Sequence, residues 1–339
     1  MRVLVTGGAG YIGSIAVERL INAGHDVVAL DNLLRGHAAS VPAEIELITC
    51  DLRDAAATAS ALSASSPDAV LHFAAVTLVP ESVAQPAYYF GVNVVGTHNL
   101  LAAMLEHGVR RLVFSSTAAV YGMPTILPVS EAAPTLPISP YGRSKLIVEQ
   151  MLEWYDASYG LRFAALRYFN VAGATETRGE DHDPETHLIP VALKSVMAGS
   201  EGFRLFGTDY PTPDGTAIRD YVHVVDLVDA HILALDRLAV DTNSIGAINL
   251  GTRDGFSVRE IIDGVERVTG RSLSVQIAPR REGDPPSLIA ESSRAHDELG
   301  WTPTRSTLEE MIGSAWDWYQ RHPCGYASVD HQPSAPRIT

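Results

Sequence analysis

Cysteine and basic side chains are both scarce in this chain of 339 residues. Cys50 and Cys324 are the only two cysteines, too few for a disulfide framework or a cysteine-based zinc site, which favours a reducing cytoplasm. Only 25 lysines and arginines face 40 acidic residues, giving a formal net charge of −15. Such a surface repels phosphate backbones, so nucleic acid is not an expected partner.

The sequence also lacks a segment suited to export or to membrane insertion. The N-terminus has no apolar core followed by a small-residue cleavage site. The longest uncharged stretch, 112–130, is interrupted by glycine and proline and does not predict a spanning helix. Hydrophobic residues make up 46% of the chain, which excludes global disorder. We expect a soluble cytoplasmic protein with a sizeable core.

Short β-rich apolar runs alternate with longer helical patterns through the first half of the chain. This alternation predicts an α/β fold, a Rossmann-type doubly wound parallel sheet covered by helices on both faces. The predicted strands are 3–6, 27–30, 46–50, 69–73, 112–115 and 163–168. The predicted helices are 11–23, 55–63, 89–106, 141–159, 224–238, 257–269 and 308–319.

The composition of the sequence changes after residue 172, where polar and turn-rich stretches begin. We therefore predict a nucleotide-binding domain over 1–172 and a smaller α/β C-terminal substrate domain over 173–322, with 219–238 packing back on the first domain. The segment 323–339 carries three prolines and no periodicity, and is interpreted as a loose tail.

A glycine-rich turn joins the first predicted strand to the first predicted helix. It contains Gly7, Gly10 and Gly13, and its glycines allow a tight turn and close approach of a pyrophosphate to the helix N-terminus. Asp31 follows 18 residues after Gly13, at the end of the second strand. A carboxylate there accepts both adenosine ribose hydroxyls and repels a 2′-phosphate, so the pattern favours NAD over NADP.

Tyr141 and Lys145 stand four residues apart, directly after Pro140, which fits the start of a helix. This spacing places both side chains on one helix face. A phenol acts as a base near pH 7 only when its pKa, ordinarily about 10, is strongly depressed. Lys145 and a cationic nicotinamide ring are expected to supply that depression jointly. The hydroxyl of Thr117, at the end of a predicted strand, is suited to relay a proton.

These residues, in this order, resemble the extended short-chain dehydrogenase/reductase family, in particular its sugar-nucleotide epimerases. The resemblance covers about residues 1–322. The motifs that carry it include His72-Phe-Ala-Ala75, Asn93-Val-Val-Gly-Thr97, Ser115-Ser-Thr-Ala-Ala-Val-Tyr-Gly122, Ser139-Pro-Tyr-Gly-Arg-Ser-Lys145, Arg167-Tyr-Phe-Asn-Val-Ala-Gly173, Thr186-His-Leu-Ile-Pro190 and Pro279-Arg-Arg-Glu-Gly-Asp284.

The resemblance implies inversion at C4 of a UDP-hexose, either glucose and galactose or their N-acetyl analogues, through a 4-keto intermediate and transient hydride transfer to bound NAD. It implies Tyr141 as the base, Lys145 as its partner and Thr117 as the relay. The implied cofactor residues are Gly7, Gly10, Tyr11, Ile12, Gly13, Asp31, Asn32, Asp51, Leu52, Phe73, Ala74, Asn93, Ser115, Tyr141, Lys145 and Tyr168. The implied substrate residues are Thr117, Asn170, His187, Leu188, Arg204, Phe206, Arg219, Arg281, Asp284 and Leu288.

Other activities within this fold stay open to different degrees. Dehydratases and decarboxylases of sugar nucleotides need an acid beside the relay hydroxyl, where this chain has Ala118 and Ala119. A 4-epimerase of UDP-glucuronate or a UDP-pentose is the stronger alternative, because its catalytic set would be identical. Leu288 aligns with the position that gates sugar size, and some relatives carry Asn at His187 and Lys at Thr77. A catalytically silent NAD-binding protein is the remaining alternative.

Two further features lead to expectations about metal and assembly. The segment Glu180-Asp-His-Asp183, followed by Glu185 and His187, contains suitable ligand types, but their spacing favours a polar loop near the substrate over a metal site. The helices 89–106 and 146–159 carry apolar residues around much of their circumference. This pattern indicates a homodimer that forms through an intersubunit helix bundle, which the resemblance also implies.

Overall fold

A seven-stranded parallel sheet forms the centre of the protein. The structure is a computed structural model and describes residues 1–199, 202–281 and 284–326. The sheet strands are β1 (Arg2–Thr6), β2 (Asp26–Asp31), β3 (Glu46–Thr49), β4 (Ala69–His72), β5 (Arg111–Thr117), β6 (Arg162–Tyr168) and β11 (Gly246–Leu250). Their order across the sheet is β3-β2-β1-β4-β5-β6-β11. The predicted Rossmann-type doubly wound sheet is confirmed.

The order of the strands determines where ligand-binding side chains can meet. Strand β1 pairs in parallel with β2 on one side and with β4 on the other, which makes the crevice at its carboxyl end the point where the strand order reverses. Ligands bind outside the carboxyl ends of the strands at such a switch point. The turn after Thr6 and the side chains of Asp31 and Thr117 therefore lie at one edge of the sheet.

Eleven α-helices are present among the described residues. They are α1 (Tyr11–Asn22), α2 (Ala55–Ser65), α3 (Val79–Ala84), α4 (Pro86–Phe90), α5 (Gly96–Glu106), α6 (Pro140–Tyr159), α7 (Leu188–Ala198), α8 (Val224–Val240), α9 (Val258–Thr269), α10 (Ser293–Leu299) and α11 (Leu308–Arg321). No helix of the described ranges combines the length and the apolar character needed to cross a membrane. Helix α6 begins where Ser139 accepts a hydrogen bond from the Gly142 amide, and it ends at Gly160, whose φ is +65°.

The chain is helical throughout the predicted range 89–106, but this helix contains a turn that was not predicted. Helix α4 is separated from α5 by a wider π-helical turn, Gly91–Val95. Within this turn the amide of Asn93 exchanges hydrogen bonds of 2.9 and 3.0 Å with the backbone of Val76. That exchange ties the turn to the loop after β4, which apolar periodicity alone does not reveal.

The second half of the chain contributes a separate hydrophobic core, formed by α7, α9 and α11. Its short strands are β7 (Asn170–Ala172), β8 (Phe203–Phe206), β9 (Ile218–Arg219), β10 (Tyr221–His223), β12 (Phe256–Ser257), β13 (Val275–Ala278) and β14 (Ser287–Leu288). Helix α8 packs against α1, and β11 extends the main sheet. The division into domains at residue 172 stays a prediction.

The loose tail predicted over 323–339 begins before the ordered contacts of the chain end. Tyr326 is buried, and its hydroxyl lies 3.0 Å from the amide nitrogen of Gly179. The ring also packs 5.4 Å from Trp318, measured between centroids. The tail prediction is therefore wrong for residues 323–326, and its remainder, 327–339, lies outside the described residues.

Candidate active site

The backbone of the glycine-rich turn between β1 and α1 packs so tightly that Gly7 and Gly13 leave no room for a side chain. Gly7 has a φ of +73°, and a Cβ atom on it would lie 2.6 Å from the amide nitrogen of Ala74. A Cβ atom on Gly13 would lie 2.0 Å from the carbonyl oxygen of Gly7. Gly10 directly precedes helix α1, and no side chain accepts a capping hydrogen bond from the amide groups of its first turn. Free amide groups at a helix N-terminus form a phosphate-binding cradle.

Asp31 is held at the end of β2 by its own surroundings. Its carboxylate accepts hydrogen bonds from the Ala9 amide at 3.1 Å and from the Leu33 amide at 2.8 Å. Burial raises the pKa of this carboxyl group, whereas the two backbone hydrogen bonds act in the opposite direction. The carboxylate is thus fixed beside the glycine turn, where a ribose would bind.

One continuous cleft of about 440 Å³ runs along this edge of the sheet. All predicted cofactor residues except one line it: Gly7, Gly10, Tyr11, Ile12, Gly13, Asp31, Asn32, Asp51, Leu52, Phe73, Ala74, Ser115, Tyr141, Lys145 and Tyr168. The exception is Asn93, which lies behind the wall, where its amide also donates to the Ser144 hydroxyl at 3.0 Å. Asn93 therefore supports the wall of the cleft.

Lys145 is buried one helical turn after Tyr141. Its ammonium group donates a hydrogen bond of 2.8 Å to the carbonyl oxygen of Ser115 and lies 4.8 Å from the centroid of the Phe114 ring. Burial lowers the pKa of Lys145 to about 7, although the nearby carboxylate of Glu149 acts to raise it. The lysine is positioned by strand β5 and is sensitive to the charges around it.

The surroundings of Tyr141 within the protein do not lower its pKa. Burial raises the pKa, and the side chain of Thr117 acts to lower it. The expected joint depression by Lys145 and a cationic nicotinamide ring stays a prediction. Thr117 and Tyr141 both line the cleft, so the expected relay hydroxyl and the expected base share it.

A buried ion pair behind Lys145 was missed by the sequence analysis. The Glu149 carboxylate accepts hydrogen bonds of 3.0 and 2.6 Å from the Arg167 guanidinium, and the Ser116 hydroxyl also donates to it. The side chains of Glu149 and Arg167 are only 5% and 7% exposed. The i,i+4 spacing from Lys145 to Glu149 was a signal, but the arginine lies on a different element, β6.

The predicted substrate residues fall into two groups. The first group lines the cleft and consists of Thr117, Asn170, His187, Arg219 and Leu288. The second group lies outside the lining of the cleft and consists of Leu188, Arg204, Phe206, Arg281 and Asp284. Arg219, of the first group, forms an ion pair with Asp284, of the second. Within the second group, the Arg281 guanidinium lies 4.2 Å from the centroid of the Phe206 ring.

The polar loop over 180–187 forms a compact cluster at the wall of the cleft. The carboxylate of Glu180 lies 2.9 Å from Nδ1 of His182 and 2.7 Å from Nδ1 of His187, and Glu185 lies 2.9 Å from the same His187 atom. Burial acts to raise the pKa of Glu180, but the two histidines outweigh it and hold the pKa at about 2. Charge-assisted hydrogen bonds thus hold the loop together.

The fold and this cleft together define a class of protein. A glycine turn at a helix N-terminus, an acid at the end of the second strand and a buried Tyr-x-x-x-Lys pair are the features of a dinucleotide-binding α/β protein of the Rossmann type. Residues 3–251 match the model of the NAD dependent epimerase/dehydratase family. The chain belongs to this family.

Individual relatives match nearly the whole chain. A UDP-glucose 4-epimerase of Halalkalibacterium halodurans is 49% identical over 330 residues, 97% of this chain and 98% of its own. The crystal structure of UDP-glucose 4-epimerase from Brucella ovis in complex with NAD is 45% identical, with a TM-score of 0.90, and covers 93% of this chain and 97% of its own. The crystal structure from Bifidobacterium longum with NAD⁺ and UDP is 37% identical, with a TM-score of 0.90, and covers 96% of this chain and all of its own, 100%.

Proposed function

We propose that this protein is an NAD-dependent 4-epimerase of a UDP-hexose, acting on glucose and galactose or on their N-acetyl analogues. The observation that carries the proposal is the single cleft in which the dinucleotide-binding turn, the Tyr141–Thr117 pair and Arg219 meet. A cofactor and a nucleotide sugar can therefore lie end to end, with the reacting carbon beside the phenol.

The residues at the cofactor end fit NAD. The tight glycine turn leaves room for a pyrophosphate at the start of α1, and Asp31 is placed for the hydroxyls of the adenosine ribose. NAD held by this turn and by Asp31 would supply reversible hydride-transfer chemistry at C4 of the sugar. Inversion at C4 then involves no net oxidation.

The chain's own side chains move the proton. Tyr141 takes the proton of the sugar 4-hydroxyl, directly or through the hydroxyl of Thr117, and returns it after the sugar has turned over. Lys145 sits one turn further on, where a positive charge favours the ionised phenol. Behind it, the Glu149 carboxylate favours the charged form of the lysine.

The UDP moiety is proposed to bind at the other end of the cleft. A guanidinium pairs two phosphate oxygens at once, and Arg219 lines the cleft, where it would exchange its present partner, Asp284, for the diphosphate. Asn170 and Leu288 line the same end. The mechanism requires firm binding of the nucleotide and loose binding of the sugar, because the keto sugar must present both faces.

The alternative substrates are less well matched to this cleft. The positions after Thr117 are Ala118 and Ala119, which supply no acid for elimination or decarboxylation. The C6 carboxylate of UDP-glucuronate would meet a cleft wall on which the carboxylate of Glu180 is already paired with His182 and His187, so assay decides this substrate. A UDP-pentose lacks that group and is distinguished only by assay.

We propose that two copies of the chain form a dimer through helices α3, α5 and α6. Large apolar side chains are exposed on and beside these helices: Trp154 is 73% exposed, Val83 63%, Tyr159 57% and Val95 48%. A helix bundle between two copies would cover them. Light scattering at micromolar concentration is expected to give the mass of a dimer, and a monomer would contradict this proposal. Localisation in the cytoplasm stays a prediction.

A panel of UDP-sugars tests the proposed activity. The purified protein is incubated, without added NAD, with UDP-glucose, UDP-N-acetylglucosamine, UDP-glucuronate and UDP-xylose, and the products are identified by NMR. We expect UDP-galactose from UDP-glucose, with no net NADH. Conversion of UDP-glucuronate or UDP-xylose alone would show that the pocket serves the alternative substrates, and no conversion of any sugar would favour a silent NAD-binding protein.

A further inference from the structure

An arginine at the adenosine end of the cleft forms an ion pair with a carboxylate. Arg35 lines the cleft in the loop after β2. One of its guanidinium nitrogens lies 2.7 and 2.8 Å from the two carboxylate oxygens of Glu81, on helix α3. The two side chains are 29% and 24% exposed. Glu81 is itself fixed, because the Tyr89 hydroxyl donates a hydrogen bond of 2.7 Å to it.

The loop places this arginine next to the ribose-binding acid. A Cβ atom on Gly36 would lie 3.0 Å from the carboxylate of Asp31, so the backbone that follows Arg35 touches that carboxylate. In dinucleotide-binding folds an arginine near this position accommodates the 2′-phosphate of NADP. The chain thus contains the group that would bind the disfavoured cofactor.

Carboxylates outnumber guanidinium groups at the adenosine end of the cleft, and Arg35 is paired with one of them. Asp51, which pairs with Arg53 at 2.7 Å, lines the same cleft as Arg35 and Asp31. With the carboxylate of Asp31, two positive charges face three negative charges. Removing the charge of Glu81 would balance them and would release Arg35 from its partner.

We propose that Glu81 is a second determinant of cofactor selectivity, which withholds Arg35 from the 2′-phosphate of NADP while Asp31 repels that phosphate. This inference rests on the proposed function only in taking NAD as the cofactor. Two effects then contribute to the selectivity for NAD. Asp31 repels the 2′-phosphate directly, and Glu81 keeps Arg35 in an ion pair and away from that phosphate.

The test measures which nucleotide the protein holds. The protein is equilibrated with equal concentrations of NAD⁺ and NADP⁺, and the bound nucleotides are released with acid and quantified by chromatography. We expect the ratio of bound NADP to bound NAD to rise at least tenfold in both Glu81→Gln and Glu81→Ala. The rise should disappear in Arg35→Met/Glu81→Gln. Tyr89→Phe, which removes a hydrogen bond to Glu81 but leaves the ion pair, is the matched control and should keep the wild-type ratio.

Two results would overturn the proposal. One is an unchanged ratio in the folded Glu81 variants. The other is a rise that persists when Arg35 is also replaced. Arg35→Met alone should leave the ratio unchanged, and a fall would show that Arg35 is already available to NADP. No sugar is present in this assay, so failure of the proposed epimerase activity would leave its outcome unaffected.

Discussion

Replacement of Gly13 by alanine tests the geometry of the cofactor turn. The added Cβ atom would lie 2.0 Å from the carbonyl oxygen of Gly7, whereas real Cβ contacts stay above 3.0 Å. The obstructing atom belongs to the backbone, so no side-chain rotation relieves the clash. Helix α1 and the glycine turn must therefore separate by about 1 Å.

The expected size of the effect follows from this displacement. Overpacking of this kind costs about 1–3 kcal/mol. If that strain is carried by the cofactor complex, it corresponds to an increase of about 5-fold to 150-fold in the Kd for NAD. The assay combines quantification of acid-released NAD in the purified variant with thermal unfolding in the presence of added NAD.

Gly313→Ala provides the matched control, because a Cβ atom at Gly313 in helix α11 would meet nothing within 4 Å. This variant should retain its NAD and gain up to about 1 kcal/mol from helix propensity. If Gly13→Ala also keeps its full complement of NAD and unfolds at the temperature of Gly313→Ala, the argument for a close-fitting cofactor turn is refuted.

Three other substitutions test separate parts of the account. Tyr141→Phe should lower kcat by about 10²- to 10⁴-fold, since it removes the proton acceptor, and near-normal turnover would contradict that role. Lys145 has a pKa of about 7, below its ordinary value of 10.5, so the unfolded chain binds more protons between these pH values. The free energy of unfolding should therefore rise with pH across this range relative to Lys145→Met, by at most about 5 kcal/mol, and parallel curves would contradict the low pKa. If the proposed dimer forms, Trp154→Glu should convert it to monomer in light scattering, and an unchanged mass would exclude this surface.

The sheet and the cofactor turn could be predicted because their signals are local. Apolar runs of four to six residues identify six of the seven strands, and glycines at fixed spacing before a helix identify the turn. Strand β11 was not predicted. The start of α6 was likewise readable from Ser139 and Pro140. Errors arose where a distant contact decides the local structure, as at the π-helical turn, which Asn93 ties to Val76.

The proposed catalytic pair was also predicted from its spacing, whereas its electrostatic surroundings were not. Burial of Tyr141 and the ion pair between Glu149 and Arg167 depend on how α6 packs against β5 and β6. Likewise, Arg35 and Glu81 are 46 residues apart in the sequence and meet only in the folded chain. Sequence spacing reports neighbours on one helix or strand, and it carries no information on such pairs.

The fate of the hydrogen at C4 tests the central claim most directly. UDP-glucose carrying deuterium at C4 is incubated with the purified protein in ordinary water, without added NAD, and the UDP-galactose formed is analysed by NMR and mass spectrometry. Hydride transfer to bound NAD and back predicts that deuterium is retained at C4 of the product. Product that carries solvent hydrogen at C4 would contradict the proposed mechanism.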